Sequence, residues 1–475
     1  MGSEVGGMVL NRANTGEQMT APPYLGNISD DDEYTGLLSQ GGEGTAREAK
    51  VHGKKISSWK GTSVIMCANL MGAGVLALPE VMKYVGWLPG IALICALALG
   101  AIYSGLLITR IWTLADHADK YGDLGKFAYG DKGQTIVNSV TYFYITVVTV
   151  VFHLTSAESL QTVFYDIGGH YCLWQYSLVI IFMILPLAQI KSLQNVSYLA
   201  IIGAGTIIAT VFIAVVRLLL NGPLPDTETV LINTSSKDIR QKINTLVMIV
   251  FSYCGQAIFT ELISSMQTPK DFPKAVLSST LTMMFSYILI AGVGYAILGQ
   301  LAIAPVTSAL PEDFWAQIAN VFLFAHVLIA YLIEINILTK GMVLLFPPAN
   351  ANMKPSKGRN RLVWFLSSTF LVLMAFLLSN LCSFFAELLS FAGATGGIAT
   401  TYIFPCLFIL KVDPNIGKGE SIVCKVIVVL SCIFSVVCLY NTVLDIAQKW
   451  HDVGPPFMCM SCVYKKEHKL TPGVC

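Results

Sequence analysis

Asn69-Leu70-Met71-Gly72-Ala73-Gly74 interrupts an apolar run, Gly61 to Tyr84, that carries no charge until Glu80. A run of that length reads as a membrane span. Its middle nonetheless holds Gly-Ala-Gly beside a polar Asn69, and Pro79 follows. Glycine leaves the backbone unshielded and weakens a helix, and proline removes a donor. In lipid, an opened backbone survives only where protein or a bound ligand satisfies its N–H and C=O groups. The stretch therefore predicts a broken helix with a cavity beside it. Close helix packing through small residues, which needs no cavity, is the competing reading.

Working outward, composition agrees with a membrane setting. The chain of 475 residues is 54% hydrophobic and only 12% charged, against about 25% charged for soluble domains. The fold class expected is all-α: a polytopic helical membrane protein in the lipid bilayer. A net charge of +1 gives no field for nucleic acid. The first sixty residues lack the apolar core of a cleavable signal peptide. Most of the 12 cysteines lie inside apolar segments, where they act as small apolar residues. Cys459-x-x-Cys462 has no second pair or nearby histidines, so it is a weak zinc signal. A disulfide suits it better in a tail outside the cytosol. No metal and no cofactor are expected.

Eleven apolar segments follow the polar N-terminus, roughly 61–84, 88–114, 137–163, 174–190, 196–219, 244–266, 274–300, 313–340, 361–380, 384–410 and 421–446. Each is long enough to cross about 30 Å of hydrocarbon. Three regions result: a cytosolic tail over 1–55, a transmembrane domain over 56–447, and a short non-cytosolic tail over 448–475. Lys50, Lys54, Lys55, Lys60, Lys120, Lys126, Lys132, Lys270, Lys274, Lys354, Lys357, Arg359, Arg361, Lys411 and Lys418 fall on one face. The opposite face has one basic cluster within a loop, Lys237, Arg240 and Lys242. Positive charge stays inside, so the N-terminus is cytosolic and the C-terminus is not. Asn233-Thr234-Ser235 is then a glycosylation sequon on the outer side, and Asn27-Ile28-Ser29 stays unmodified.

The N-terminal tail is rich in Gly, Ser, Thr and acidic residues and is expected to be disordered. It contains Glu33-x-x-x-Leu37-Leu38, which resembles the acidic dileucine signal read by clathrin adaptors, and Tyr34-x-x-Leu37, which resembles the tyrosine-based signal. A flexible segment can dock two leucines in an apolar groove while its acidic residue meets a basic patch.

The sixth apolar segment is interrupted too. It reads Phe251-Ser252-Tyr253-Cys254-Gly255-Gln256, with Glu261 further on. It stands five segments after the first and enters from the opposite side. Paired interruptions at corresponding places point to an inverted-repeat transporter. The half-helix starting near Gly74 offers free N–H groups and a positive dipole end to a carboxylate. The half-helix ending near Ser252–Cys254 offers carbonyls to an ammonium group. Together they form a receptor for a zwitterion, a free amino acid or a close relative such as an inhibitory amino acid. The site expected comprises Asn69, Met71, Gly72, Ala73, Gly74, Phe251, Ser252, Tyr253, Cys254, Gly255 and Gln256. None of these carries a charge, which favours neutral amino acids.

Three motifs bear a family resemblance. Asn69 to Pro79 resembles the first-span motif of the amino acid/auxin permease family. Phe251 to Glu261, followed by Met266-Gln267-Thr268-Pro269-Lys270-Asp271-Phe272, resembles its sixth-span motif. Gly393-Ala394-Thr395-Gly396-Gly397 with Phe404-Pro405 resembles its tenth span. The similarity covers about 55–447, and within the family it looks nearest to the vesicular inhibitory amino acid transporter branch. The resemblance implies a LeuT-type core of spans 1–5 and 6–10 with an extra span 11. It also implies secondary active amino acid transport, often driven by protons. The long N-terminal tail is not shared, and Met71 and Cys254 leave the substrate within the class open.

Ionisable residues inside a membrane are functional candidates. His153, Glu261, His326 and Glu334 are the proton-coupling candidates, and Glu158 and Glu387 lie nearer the surface. A histidine titrates in the accessible range, and a desolvated glutamate can be brought there. Each also has a structural alternative: a histidine bonded to a neighbouring helix, or a glutamate capping backbone donors. Sodium is the competing driver, but Ala330 to Asn336 in the eighth segment supplies no Ser or Thr hydroxyl. The reading is a proton-coupled neutral amino acid carrier in a lysosomal, endosomal or secretory-vesicle membrane, with the plasma membrane as the alternative. A sensor signalling through the N-terminal tail is the rival function. No nucleophile–base pair in a soluble segment suggests an enzyme.

Overall fold

The computed structural model describes residues 57–453 and Phe457, leaving out 116–117, 165–170, 191–195, 226, 236–238, 312, 344–356 and 454–456. The sorting residues Glu33, Tyr34, Leu37 and Leu38 therefore lie outside the described residues, as do Asn27, Lys237, Cys459 and Cys462.

The described elements are helices: α1 (Trp59–Leu70), α2 (Leu78–Val85), α3 (Trp87–Leu114), α4 (Tyr121–Val163), α5 (Leu173–Ala188), α6 (Val196–Asn221), α7 (Ile239–Ser252), α8 (Phe259–Ser265), α9 (Phe272–Leu298), α10 (Phe314–Val343), α11 (Lys357–Leu381), α12 (Phe385–Ala392), α13 (Phe404–Val412) and α14 (Lys418–Val453). The chain is an all-α polytopic membrane protein. Among the described residues, 9 helical spans are long and apolar enough to cross a membrane, and the bent pair α1 and α2 makes a tenth.

The expected span at 174–190 departs from that pattern. It is α5, a helix of 16 residues, which at about 1.5 Å per residue covers roughly 24 Å. Pro186 sits in its last turn, and the following amides of Gln189 and Ile190 fold back onto Pro186 O and Leu187 O at 3.2 and 3.0 Å. The end is then held from the side: Trp364 Nε1 donates to Ala188 O at 2.9 Å, and Gln189 Nε2 donates to Ser368 Oγ at 3.0 Å.

Packing separates the centre from the rim. In the most apolar windows of the α7–α8 and α12–α13 spans 67% of residues are buried, against 11% for α14. The former lie inside the bundle and the latter faces outward. α10 packs along α4 and α6, while α9 packs on α1, α2 and α3. α4 changes direction at Gly130, whose φ of 69° an L side chain rarely adopts. Its first turns run beneath the α13 end, where Tyr121 OH donates to Thr400 O at 2.6 Å and Tyr129 OH to Leu407 O at 3.1 Å.

Candidate substrate site

α1 stops where the Gly-Ala-Gly stretch begins. Met71 N bonds Cys67 O at 2.9 Å, and Gly72 N turns back to Leu70 O at 2.9 Å. Gly72 is extended, and a 3₁₀ turn over Ala73–Ala77 leads into α2, with Pro79 in its first turn. The segment Ala73–Val85 is bent 53° from α1. The amides that open a helical segment lack partners within it; here those belong to Ala73 and Gly74.

The sixth span also opens. α7 ends at Ser252 and winding resumes as a 3₁₀ turn at Gln256–Ile258 before α8. The two interruptions meet. A Cβ at Gly74 would lie 2.6 Å from Ser252 Oγ and 3.1 Å from both Ser252 Cα and Phe251 Cδ1. A side chain there would force Ser252 and Phe251 to shift, so glycine favours this close approach. The close-packing reading of small residues therefore holds at the contact itself, but it accompanies a break rather than replacing one.

Two further spans complete the surround. A Cβ at Gly72 would lie 4.0 Å from Phe152 Cε1 of α4, and Tyr144 of α4 meets Phe251 edge-on at 6.4 Å. In the tenth span, Gly393–Gly397 and Ala399–Ile403 wind as π-helix. Such widened turns recur at functional sites and release carbonyls from the usual ladder. Here Tyr121 takes Thr400 O and Ser104 Oγ donates to Thr401 O. Gly396 backs onto Tyr144, and Gly397 onto Cys254.

Met71, Ala73, Gly74, Phe251, Ser252, Tyr253, Cys254 and Gln256 are buried, Gly72 and Gly255 half-buried, and Asn69 exposed. Several of the polar ones are already engaged. Ser252 Oγ donates to Met248 O at 2.9 Å and Cys254 Sγ to Val250 O at 3.2 Å. Gln256 Oε1 accepts from Gly255 N at 2.9 Å and from Thr401 Oγ1 at 2.8 Å, and its Nε2 donates to Tyr253 O at 3.2 Å. Gln256 thus braces the break and ties it to the π-helical span. The carbonyls at the α7 end have protein partners too: Tyr253 N on Val250 O, Cys254 N on Phe251 O, both at 3.0 Å. Tyr287 of α9 donates to Ser252 O at 2.6 Å and stands 3.5 Å from Leu70 O. Tyr287, Thr401 and Tyr144 were absent from the sequence-based site. Nothing local marks them, because their partners lie 35 to 217 positions away for Tyr287 and 145 away for Thr401.

Glu261 and Glu334 are near enough to repel each other electrostatically, while the two histidines are held in separate hydrogen-bonded positions. His153 is fully buried between α4, α5 and α10, with Nδ1 3.1 Å from Tyr331 OH and Nε2 2.7 Å from Ser177 Oγ. Asn380 of α11 donates to the same Ser177 Oγ at 2.9 Å. Both ring nitrogens are used, as in a structural histidine. His326 is likewise buried, and its Nδ1 donates to Gly203 O at 2.8 Å. Glu261 is exposed on α8. Glu334 differs: its Oε2 is buried without a hydrogen-bond partner. Asn233 is half-buried, and its Nδ2 donates to Lys83 O at 3.3 Å.

One broken span is thus laid against a second, ringed by aromatic and π-helical elements. A family model described as "Transmembrane amino acid transporter protein" matches residues 54–444. The chain belongs to that family. It is 26% identical to amino acid transporter AVT1B of Arabidopsis thaliana over 82% of this chain and 71% of that protein. It is 22% identical to amino acid transporter AVT1J of the same plant over 79% of this chain and 88% of that protein. It is also 22% identical to the N amino acid transport system protein of Neurospora crassa, over 81% of this chain and 82% of that protein. The resemblance drawn from the first-, sixth- and tenth-span motifs is met at the level of the family. The chain is a multi-pass membrane carrier for amino acids, not an enzyme.

Proposed function

We propose that the chain is a secondary active carrier of neutral amino acids, coupled to protons and working by alternating access. The observation that carries this reading is the contact of two half-helix ends of opposite polarity at Gly74 and Ser252. The amides at Ala73–Gly74 receive the carboxylate, and the carbonyls at Leu70 and Ser252 receive the ammonium group. The buried groups around them are uncharged, which suits an uncharged substrate side chain. Eleven spans with an inverted five-plus-five core account for two interruptions five spans apart.

Among the four proton-coupling candidates, Glu334 is the best coupling residue, although Glu158 and Glu387 each also carry a buried oxygen without a hydrogen-bond partner. A buried carboxylate oxygen without a partner is costly unless it takes a proton or a ligand. His153 and His326 are instead held in satisfied positions. Sodium exchange for choline at fixed pH tests the driver: uptake persists under the proton reading and disappears if sodium is required.

The basic residues support a cytosolic N-terminus. Cys172 is disulfide-bonded, which suits an oxidising compartment on the opposite side. The dileucine and tyrosine signals of the tail favour adaptor-mediated delivery to a lysosomal, endosomal or secretory-vesicle membrane. Asn69 and Glu261 are exposed, in keeping with access from the cytosolic side.

One contact favours a sensor as the second reading. Gln267 N donates to Ser57 O at 2.9 Å and Ser57 N to Ser265 O at 3.4 Å, tying the root of the tail to the end of α8. Flux in proteoliposomes separates the two functions, since a pure sensor binds without transporting.

A further inference from the structure

Tyr287 sits in the middle of α9, fully buried, and touches the ends of both interrupted spans. Its ring packs on Tyr253 at 5.1 Å between centroids. Its hydroxyl makes a short bond, 2.6 Å, to Ser252 O, the last residue of α7, and reaches Leu70 O, the last residue of α1, at 3.5 Å. A phenol has one hydrogen to give. Ser252 O receives it, whereas Leu70 O, approached at 3.5 Å, already accepts from Gly72 N at 2.9 Å.

These are the two carbonyls that a substrate ammonium group would take under the reading above, on which this inference rests. Buried carbonyls at a helix end must be satisfied when no ligand is present. We propose that the Tyr287 hydroxyl is a positioning group that stands in for the substrate's ammonium group. It caps Ser252 O in the empty carrier and yields that carbonyl when substrate binds. The carbonyl pole then never faces the membrane interior unpaired, and release is helped because the hydroxyl returns as the ammonium leaves.

The test is Tyr287→Phe, which keeps the ring and its packing and removes only the competing donor. In proteoliposomes carrying a transported neutral amino acid, KM falls about fivefold, the scale of one net hydrogen bond, and kcat falls with it. In detergent the empty variant melts earlier than wild type, while saturating substrate raises its melting temperature by more than it raises that of wild type. Tyr295→Phe is the control on the same helix. It also loses a hydrogen bond, from Val230 N to Tyr295 OH at 2.9 Å, and leaves KM unchanged. A KM that stays the same or rises in Tyr287→Phe overturns the stand-in role and makes the hydroxyl a structural brace. Wild-type flux in the same vesicles checks the transport reading separately: if wild type moves no amino acid, that reading fails before the variant is compared.

Discussion

Gly74 and Ser252 lie 178 positions apart in sequence, yet they touch so closely that a Cβ on Gly74 would sit 2.6 Å from Ser252 Oγ and 3.1 Å from Ser252 Cα. This contact joins the two interrupted spans at their openings, so the geometry of the site depends on it.

Gly74→Ala is therefore expected to push the two breaks apart. Part of the clash is with the Ser252 backbone, so a rotamer change cannot relieve it. Overpacking of this kind costs about 1–3 kcal/mol. The variant should reach the membrane but lose roughly five- to 150-fold in transport rate if that cost falls on the transport cycle, since about 1.4 kcal/mol is a factor of ten. Immunofluorescence against wild type together with reconstituted flux checks this. Unchanged flux would remove Gly74 from the site.

Gln256 and Thr401 should behave as one unit. The hydroxyl of Thr401 reaches Gln256 Oε1 at 2.8 Å across two spans. A double-mutant cycle with Gln256→Leu and Thr401→Val should give a coupling of about 0.5–3 kcal/mol in thermal unfolding. Additive effects would mean that the brace is not formed.

His153 and Glu334 should separate stability from coupling. His153→Ala leaves Tyr331 and Ser177 without their shared partner, at a cost of about 1–3 kcal/mol in stability. Glu334→Gln should fold and exchange substrate yet lose the response of uptake to an imposed pH gradient. Proton-driven accumulation retained in Glu334→Gln would move the coupling role to another group.

Leu37→Ala with Leu38→Ala removes the dileucine pair of the tail. Immunofluorescence and surface biotinylation should then show the carrier shifted to the plasma membrane. An unaltered distribution would deny the pair a sorting role.

Much of this was legible in the chain because membrane folding leaves coarse marks. Charge-free runs of about 20 residues mark spans. Glycine clusters inside them, at 72–74 and 255, mark the places where the ladder opens. The histidines illustrate what was not legible. A titratable residue in a span has the same letter whether it carries protons or is locked between Tyr331 and Ser177. Gln256 and Cys254 read as pocket groups, but folding spends their polar atoms on the break itself. Tyr287 has no local signature, since its two partners come from other spans. The π-helical winding at 393–403 likewise follows from tertiary packing around its glycines, and α5 ends early because Pro186 and the neighbouring α11 terminate it.

The most direct measurement is flux of a panel of radiolabelled amino acids into proteoliposomes under an imposed pH gradient without sodium. Neutral amino acids should accumulate, and collapse of the gradient should stop the accumulation. Binding without flux, or accumulation only when sodium is supplied, would contradict the account.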